Sequence, residues 1–145
     1  MIKFTLDIRI EKPLNTTIRL FNDRDLLSKW QPGLLSSEAV PNKGGLKKYK
    51  LIYQIGRRKL PMIESRLKMD LPEQSEVEYT LKGITNTVKN TFSSPGPEST
   101  RWISEYEFRF KGLMKLIGPF MRSGLEQQSK TIMKNFKRFA EQYKD

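Results

Sequence analysis

Apolar side chains recur at every second position through most of residues 2–110, and at every third or fourth position from about residue 113 to the end. The first period belongs to strands with one buried face, the second to a helix with one buried stripe. The chain therefore predicts a multi-stranded antiparallel sheet followed by a long amphipathic helix laid on the sheet's apolar face. A sheet that grips a helix readily leaves a cavity, which makes a small apolar molecule the first candidate ligand.

The opening strand sets Ile2, Phe4, Leu6, Ile8 and Ile10 against Lys3, Thr5, Asp7 and Arg9. Pro13 suits a first helical turn, and Leu14, Ile18 and Phe21 give a short helix its buried side. Asp23 or Asp25 can cap a second short helix carrying Leu26, Leu27 and Trp30, which stops at Gln31-Pro32-Gly33. A short strand of unassigned phase follows over about 34–40. Tyr49, Leu51, Tyr53 and Ile55 then alternate with Lys48, Lys50, Ile52 and Gln54, and Gly56-Arg57 offers a turn into the next strand. There Ile63, Ser65, Leu67, Met69 and Leu71 share a face opposite Glu64, Arg66, Lys68 and Asp70, and Pro72 ends the run.

Val77, Tyr79 and Leu81 repeat the alternation up to Gly83, and Val88, Asn90 and Phe92 point together within 86–94. The stretch Ser93-Ser94-Pro95-Gly96-Pro97 reads as a turn or mobile loop able to gate a cavity. Thr100, Trp102, Ser104, Tyr106, Phe108 and Phe110 share a face of the last strand. After Gly112, Leu113, Leu116, Ile117, Phe120 and Met121 have helical spacing around a break at Gly118-Pro119. Leu125, Ser129, Ile132, Met133, Phe136, Phe139, Ala140 and Tyr143 line a final helix of roughly 25 residues, about 35 Å long.

Composition narrows the chemistry. At 145 residues the expectation is one domain, 1–145. Cysteine and histidine are both absent, which removes disulfides, a thiol nucleophile, thiolate and imidazole metal sites, and a Ser-His-Asp triad. No metal and no cofactor are expected. The first residues carry charges through their apolar pattern, which fits neither a signal peptide nor a membrane span, so the expected location is cytoplasmic. A net charge of +11 is spread over several elements and interleaved with acidic residues. That is a solvated outer face rather than one basic stripe, and no nucleic-acid partner is expected because the aromatics fall on inward positions.

The order of elements, with Trp30-Gln31-Pro32-Gly33 closing the two short helices and Leu116-Ile117-Gly118-Pro119-Phe120 opening the long one, resembles the SRPBCC or START-like superfamily over nearly the whole chain. The resemblance implies an α+β helix-grip fold: a curved antiparallel sheet of about seven strands around a long C-terminal helix, with two short helices after the first strand. It also implies a hydrophobic ligand such as a lipid, sterol, polyketide or quinone-like molecule between sheet and helix. The expected walls are Tyr53, Leu67, Tyr79, Asn90, Phe92, Trp102, Ser104 and Tyr106 from the sheet. From the helix side they are Phe120, Met121, Leu125, Ile132, Met133 and Phe136.

Ser104, Asn90 and Ser65 interrupt otherwise apolar faces, so each needs a hydrogen bond within the core or an atom of a ligand. Leu116, Ile117 and Phe120 are expected to pack over the end of the sheet. Exposed beside Lys111, Lys115 and Arg122, they would instead touch an anionic membrane transiently. The alternatives to a binding protein are a polyketide cyclase- or aromatase-like enzyme and a protein-interaction module. For catalysis, Tyr79, Tyr106, Ser104 and Asn90 could hold a carbonyl or enolate, while Glu64 and Arg66 fall on the outward phase unless a bulge reverses it. Catalytic residues and oligomeric state are left open.

Overall fold

The computed structural model describes residues 1–41 and 45–144. Among them, β1 (Ile2–Ile10), β2 (Leu34–Val40), β3 (Lys48–Ile55), β4 (Arg58–Asp70), β5 (Gln74–Leu81), β6 (Ile84–Gly96) and β7 (Ser99–Phe110) form one sheet. Its order is β1-β7-β6-β5-β4-β3-β2, antiparallel at every pairing. The first two strands thus become the two edges, and the chain between them crosses the sheet's mouth as α1 (Leu14–Asn22), a 3-10 turn (Arg24–Leu26) and α2 (Leu27–Trp30). After β7 come α3 (Met114–Ile117), a 3-10 turn (Gly118–Met121) and the long α4 (Arg122–Gln142). This is the expected helix-grip architecture, with a curved sheet around the terminal helix.

Directly paired residues of antiparallel strands stand side by side on one face, so the register gives the rows of the concave surface. One row is Phe92, Trp102 and Ile8; the next is Ser75, Asn90, Ser104 and Leu6. A third is Arg66, Val77, Val88, Tyr106 and Phe4, and a fourth is Tyr49, Glu64, Tyr79, Asn86, Phe108 and Ile2. The first row is apolar, the second carries the buried Ser75, Asn90 and Ser104, and the fourth holds the one buried carboxylate of the face, Glu64, among the described residues.

The helix α4 lies along β1 and against α1 and α2. Its buried Met133, Phe136 and Ala140 join the core at the apolar end. There Phe21 sits with its ring centroid 5.1 to 5.7 Å from those of Trp30, Phe92, Trp102 and Phe136. Such aromatic pairs add about 0.5–1.5 kcal/mol each beyond their buried area, so this end is the rigid part of the grip.

Three sequence expectations change. The strand β6 runs on through Gly96, which pairs with Ser99, so the presumed Ser93–Pro97 loop is mostly strand and the turn is short. The final helix has 21 residues rather than roughly 25. Most consequential is β4. It begins at Arg58 straight from the turn, and its register slips between Arg66 and Lys68. Ile63 and Ser65 therefore stand on the convex face beside Thr80, Lys48 and Glu78, whereas Glu64 and Arg66 are on the concave one. The bulge reverses the alternation between the two halves of the strand.

Candidate ligand-binding site

The fourth row makes the polar end of the groove. Arg24, delivered by the turn between α1 and α2, donates from Nη1 to Glu64 Oε2 at 2.9 Å and from Nη2 to Oε1 at 3.2 Å. Its Nη2 also donates to Ser37 Oγ of β2 at 2.5 Å. The Arg66 Nε donates to the same Glu64 Oε2 at 3.2 Å. Two guanidiniums thus share one buried carboxylate, and both lie over Tyr49, at 3.5 Å for Arg24 and 5.2 Å for Arg66.

Tyr53 stands beside this cluster and donates to Gln31 Oε1 at 2.6 Å, tying β3 to the end of α2. Burial first, and the Glu64 charge second, push its hydroxyl far above the ordinary tyrosine range. Tyr79 is likewise raised well above its usual value by burial, with Glu64, Tyr53 and Tyr106 adding to the effect and Arg24 opposing it. Yet Tyr53, Tyr79, Asn86 and Tyr106 are only half-buried as residues. Burial thus keeps these hydroxyls neutral, while the residues retain some accessible surface on the concave face.

Three buried polar atoms among the described residues have no hydrogen-bond partner: Arg24 Nε, Trp30 Nε1 and Asn86 Oδ1. They offer two donors and one acceptor. Leaving such groups unmade costs about 1–3 kcal/mol each, so they are positions where a water or a ligand atom is favoured. No cluster of acidic residues able to hold a metal ion occurs among the described residues. Two surface hollows, of about 300 and 490 Å³, lie around Lys3, Thr5, Lys89 and Tyr106 and around Lys134 and Arg138.

The expected wall residues divide into four groups. Tyr53, Tyr79 and Tyr106 stand half-buried on the concave face, and Met121, Leu125 and Ile132 pack against the core from the helix side, also half-buried. Phe92, Trp102, Met133 and Phe136 are buried in the packed aromatic end. Asn90 and Ser104 are buried and satisfied: Asn90 Oδ1 accepts from Ser104 Oγ at 2.8 Å and Trp102 Nε1 at 2.9 Å, and Asn90 Nδ2 donates to Ser75 Oγ at 3.3 Å. Leu67 sits at the bulge and is exposed, and Phe120 is exposed outside the grip, so neither is brought to the groove. The expected walls omitted Arg24, Tyr49, Glu64, Arg66 and Asn86, although alternation already set Tyr49 on the face of Tyr53. Counting outward from the two-residue turn at Gly56-Arg57 does place Glu64 opposite Tyr49, and that signal was in the chain.

Residues 1–141 match the family model described as polyketide cyclase/dehydrase and lipid transport. The chain belongs to that family. It is an SRPBCC/START-like protein, and this membership supports a ligand-binding helix-grip fold. No curated protein matches it in sequence. A START superfamily protein from Mycobacterium smegmatis superposes with a TM-score of 0.79 at 12% identity, covering 97% of this chain and 97% of that one. A conserved protein from Geobacillus kaustophilus gives 0.79 at 18% identity, with 96% and 95% covered. The Zhui aromatase/cyclase from Streptomyces sp. R1128 gives 0.77 at 12% identity, with 97% and 93% covered. Among the described residues no helix is long and apolar enough to cross a membrane.

Proposed function

We propose that this protein is a cytoplasmic binder or carrier of a small, mostly apolar molecule bearing a polar end. The apolar body lies between the sheet and α4, against Met121, Leu125 and Ile132. The polar end reaches the Tyr49-Glu64-Tyr79-Asn86 row. The observation that carries this reading is the pair of unpartnered atoms at that end, Arg24 Nε and Asn86 Oδ1, beside desolvated tyrosine hydroxyls. Burial of apolar area would drive association, and these few polar groups would fix orientation.

A second reading, cyclase-like catalysis, is favoured by one observation: a carboxylate, Glu64, does face the groove. Its oxygens already accept from Arg24 and Arg66, which leaves little room for taking a substrate proton and suits it better to holding the two guanidiniums in place. The carrier reading is therefore preferred.

Native mass spectrometry of freshly purified protein, compared with its denatured mass, and titration with a dansyl-labelled fatty acid test it together. The expected result is an adduct lost on denaturation, or saturable probe binding that Tyr79→Phe and Asn86→Leu weaken. Unadducted protein that also leaves the probe free would overturn the reading.

A further inference from the structure

The segment between β7 and α4 presents an apolar stripe in the wrong direction for a core. Leu113, Leu116, Ile117 and Phe120 follow the spacing i, i+3, i+4, i+7 that normally marks a buried helix face, yet they are 81%, 73%, 54% and 88% exposed. This is no loose end of chain. Met114 and Met121 on the other side pack against the core. Gly118 is buried so closely on the Phe110 ring that a Cβ there would lie 2.4 Å from it. Met114 likewise closes on Gly83, where a Cβ would stand 2.7 Å from its Cγ. The inward positions being occupied by Met114, Gly118 and Met121, the outward stripe is fixed in solvent by the same anchoring.

The expectation that Leu116, Ile117 and Phe120 cover the end of the sheet is therefore reversed. Four large apolar side chains grouped in eight residues make an interaction surface rather than scattered exposure. What surrounds them selects the partner. Lys111, Lys115 and Arg122 flank the stripe, all exposed, and residues 111–125 contain no acidic side chain. Arg122 spends one nitrogen on the Lys3 carbonyl at 3.1 Å and keeps its charge at the surface.

We propose that this face docks on an anionic lipid bilayer, with Leu113, Leu116, Ile117 and Phe120 entering the acyl boundary and Lys111, Lys115 and Arg122 meeting the headgroups. An apolar stripe bordered by cations and free of carboxylates matches that interface in both layers. A protein partner would need both an apolar pocket for Phe120 and acidic residues set to meet the three cations, whereas an anionic bilayer presents both layers without a specific fit. Met121, which faces inward from the same turn, and Leu125 of α4 pack on the helix side of the grip, so the docking face and the proposed ligand site share one segment of chain. The docking itself is independent of what the groove holds.

Co-sedimentation with vesicles of phosphatidylcholine alone and of phosphatidylcholine mixed with phosphatidylglycerol tests it, alongside sedimentation velocity without lipid. The full chain is expected to pellet with the mixed vesicles, less so at high salt. The double variant Leu116→Asp/Phe120→Asp, altered only at exposed positions, should melt as the parent does and bind at least about tenfold more weakly. Lys111→Glu/Lys115→Glu should lose the preference for phosphatidylglycerol. A parent chain that stays in the supernatant with mixed vesicles would overturn the proposal, as would a Leu116→Asp/Phe120→Asp chain that pellets unchanged. A dimer that this variant dissociates would assign the face to a second copy and also overturn it.

Discussion

The guanidinium carbon of Arg24 stands 3.5 Å from the centroid of the Tyr49 ring while its nitrogens hold both oxygens of Glu64. This one side chain joins the turn between α1 and α2 to β2, β3 and β4. It closes the polar end of the grip as the aromatic cluster closes the other.

Glu64 is nearly buried and the two arginine side chains are about one-fifth exposed, at 20% and 19%. Removing the carboxylate leaves two guanidiniums facing each other, so Glu64→Ala should destabilise the fold by about 2–4 kcal/mol, somewhat discounted for their exposure. Arg24→Met leaves Glu64 with Arg66 and should cost roughly half as much. Urea unfolding of the two variants checks this. Equal, small losses would mean that water screens the cluster.

Asn86 carries a buried carbonyl oxygen without a partner, in the row between Tyr79 and Phe108. Replacing it by leucine, which keeps the branched shape with bulkier methyl groups, removes an unmet acceptor. Asn86→Leu should raise stability by about 1 kcal/mol in the empty protein and weaken capture of the dansyl fatty acid. Thermal unfolding and probe titration on the same sample read both. A stabilised variant with unchanged affinity would remove Asn86 from the site.

The raised pKa values of Tyr53, Tyr79 and Tyr106 set an alkaline limit. Burial is the leading cause for each, and for Tyr106 the hydroxyls of Ser104 and Ser129 partly oppose it. Their folded values lie above the unfolded value of about 10. Their contribution is thus fully present below that pH and is lost as pH rises through the native values. Between the two the unfolded chain has released protons that the native chain retains. Stability should fall by up to about 1.4 kcal/mol per pH unit for each tyrosine once pH exceeds about 10. Spectrophotometric titration should show these three ionising together with unfolding. Ordinary titration of all tyrosines in the native protein would contradict the buried placement.

The fold was legible because seven strands and one helix each carry an uninterrupted period. The paired rows from β5 to β1 follow the alternation without exception, which is why Tyr79, Asn90, Ser104 and Tyr106 were found on the concave face. In β4 the period alone misleads. Counting apolar residues back from Met69 crosses the slip at Leu67 and puts Glu64 and Arg66 on the wrong face. The turn at Gly56-Arg57 held the correcting information, since a tight hairpin fixes which residues pair. Arg24 had no such signal, because a residue in a short irregular turn has no periodic neighbours to give its direction. The stripe from Leu113 to Phe120 was legible as a helix face but not as an exposed one. Which side is buried was decided by Gly118 meeting Phe110, a contact between distant parts of the chain.

Asn90 is the junction of the buried hydrogen bonds between the groove and the aromatic end. Its Oδ1 accepts from both Trp102 Nε1 and Ser104 Oγ, and its amide donates to Ser75 Oγ. Ser104 is fully buried in this junction, so Ser104→Phe is not a harmless way to fill the cavity: the ring has to displace packed neighbours and should destabilise the fold. Ser104→Ala, by contrast, removes one of two donors to an oxygen that keeps the other, and should cost only about 1 kcal/mol. Asn90→Ala strands the indole N–H and two hydroxyls at once and should cost about 3–5 kcal/mol. In a double-mutant cycle the pair should lose less than the sum of the single changes, because the Ser104–Asn90 bond is already lost once Asn90 is gone. Additive losses in urea unfolding would show that Ser104 and Asn90 are held independently, and that the polar row between Leu6 and Ser75 is not one network.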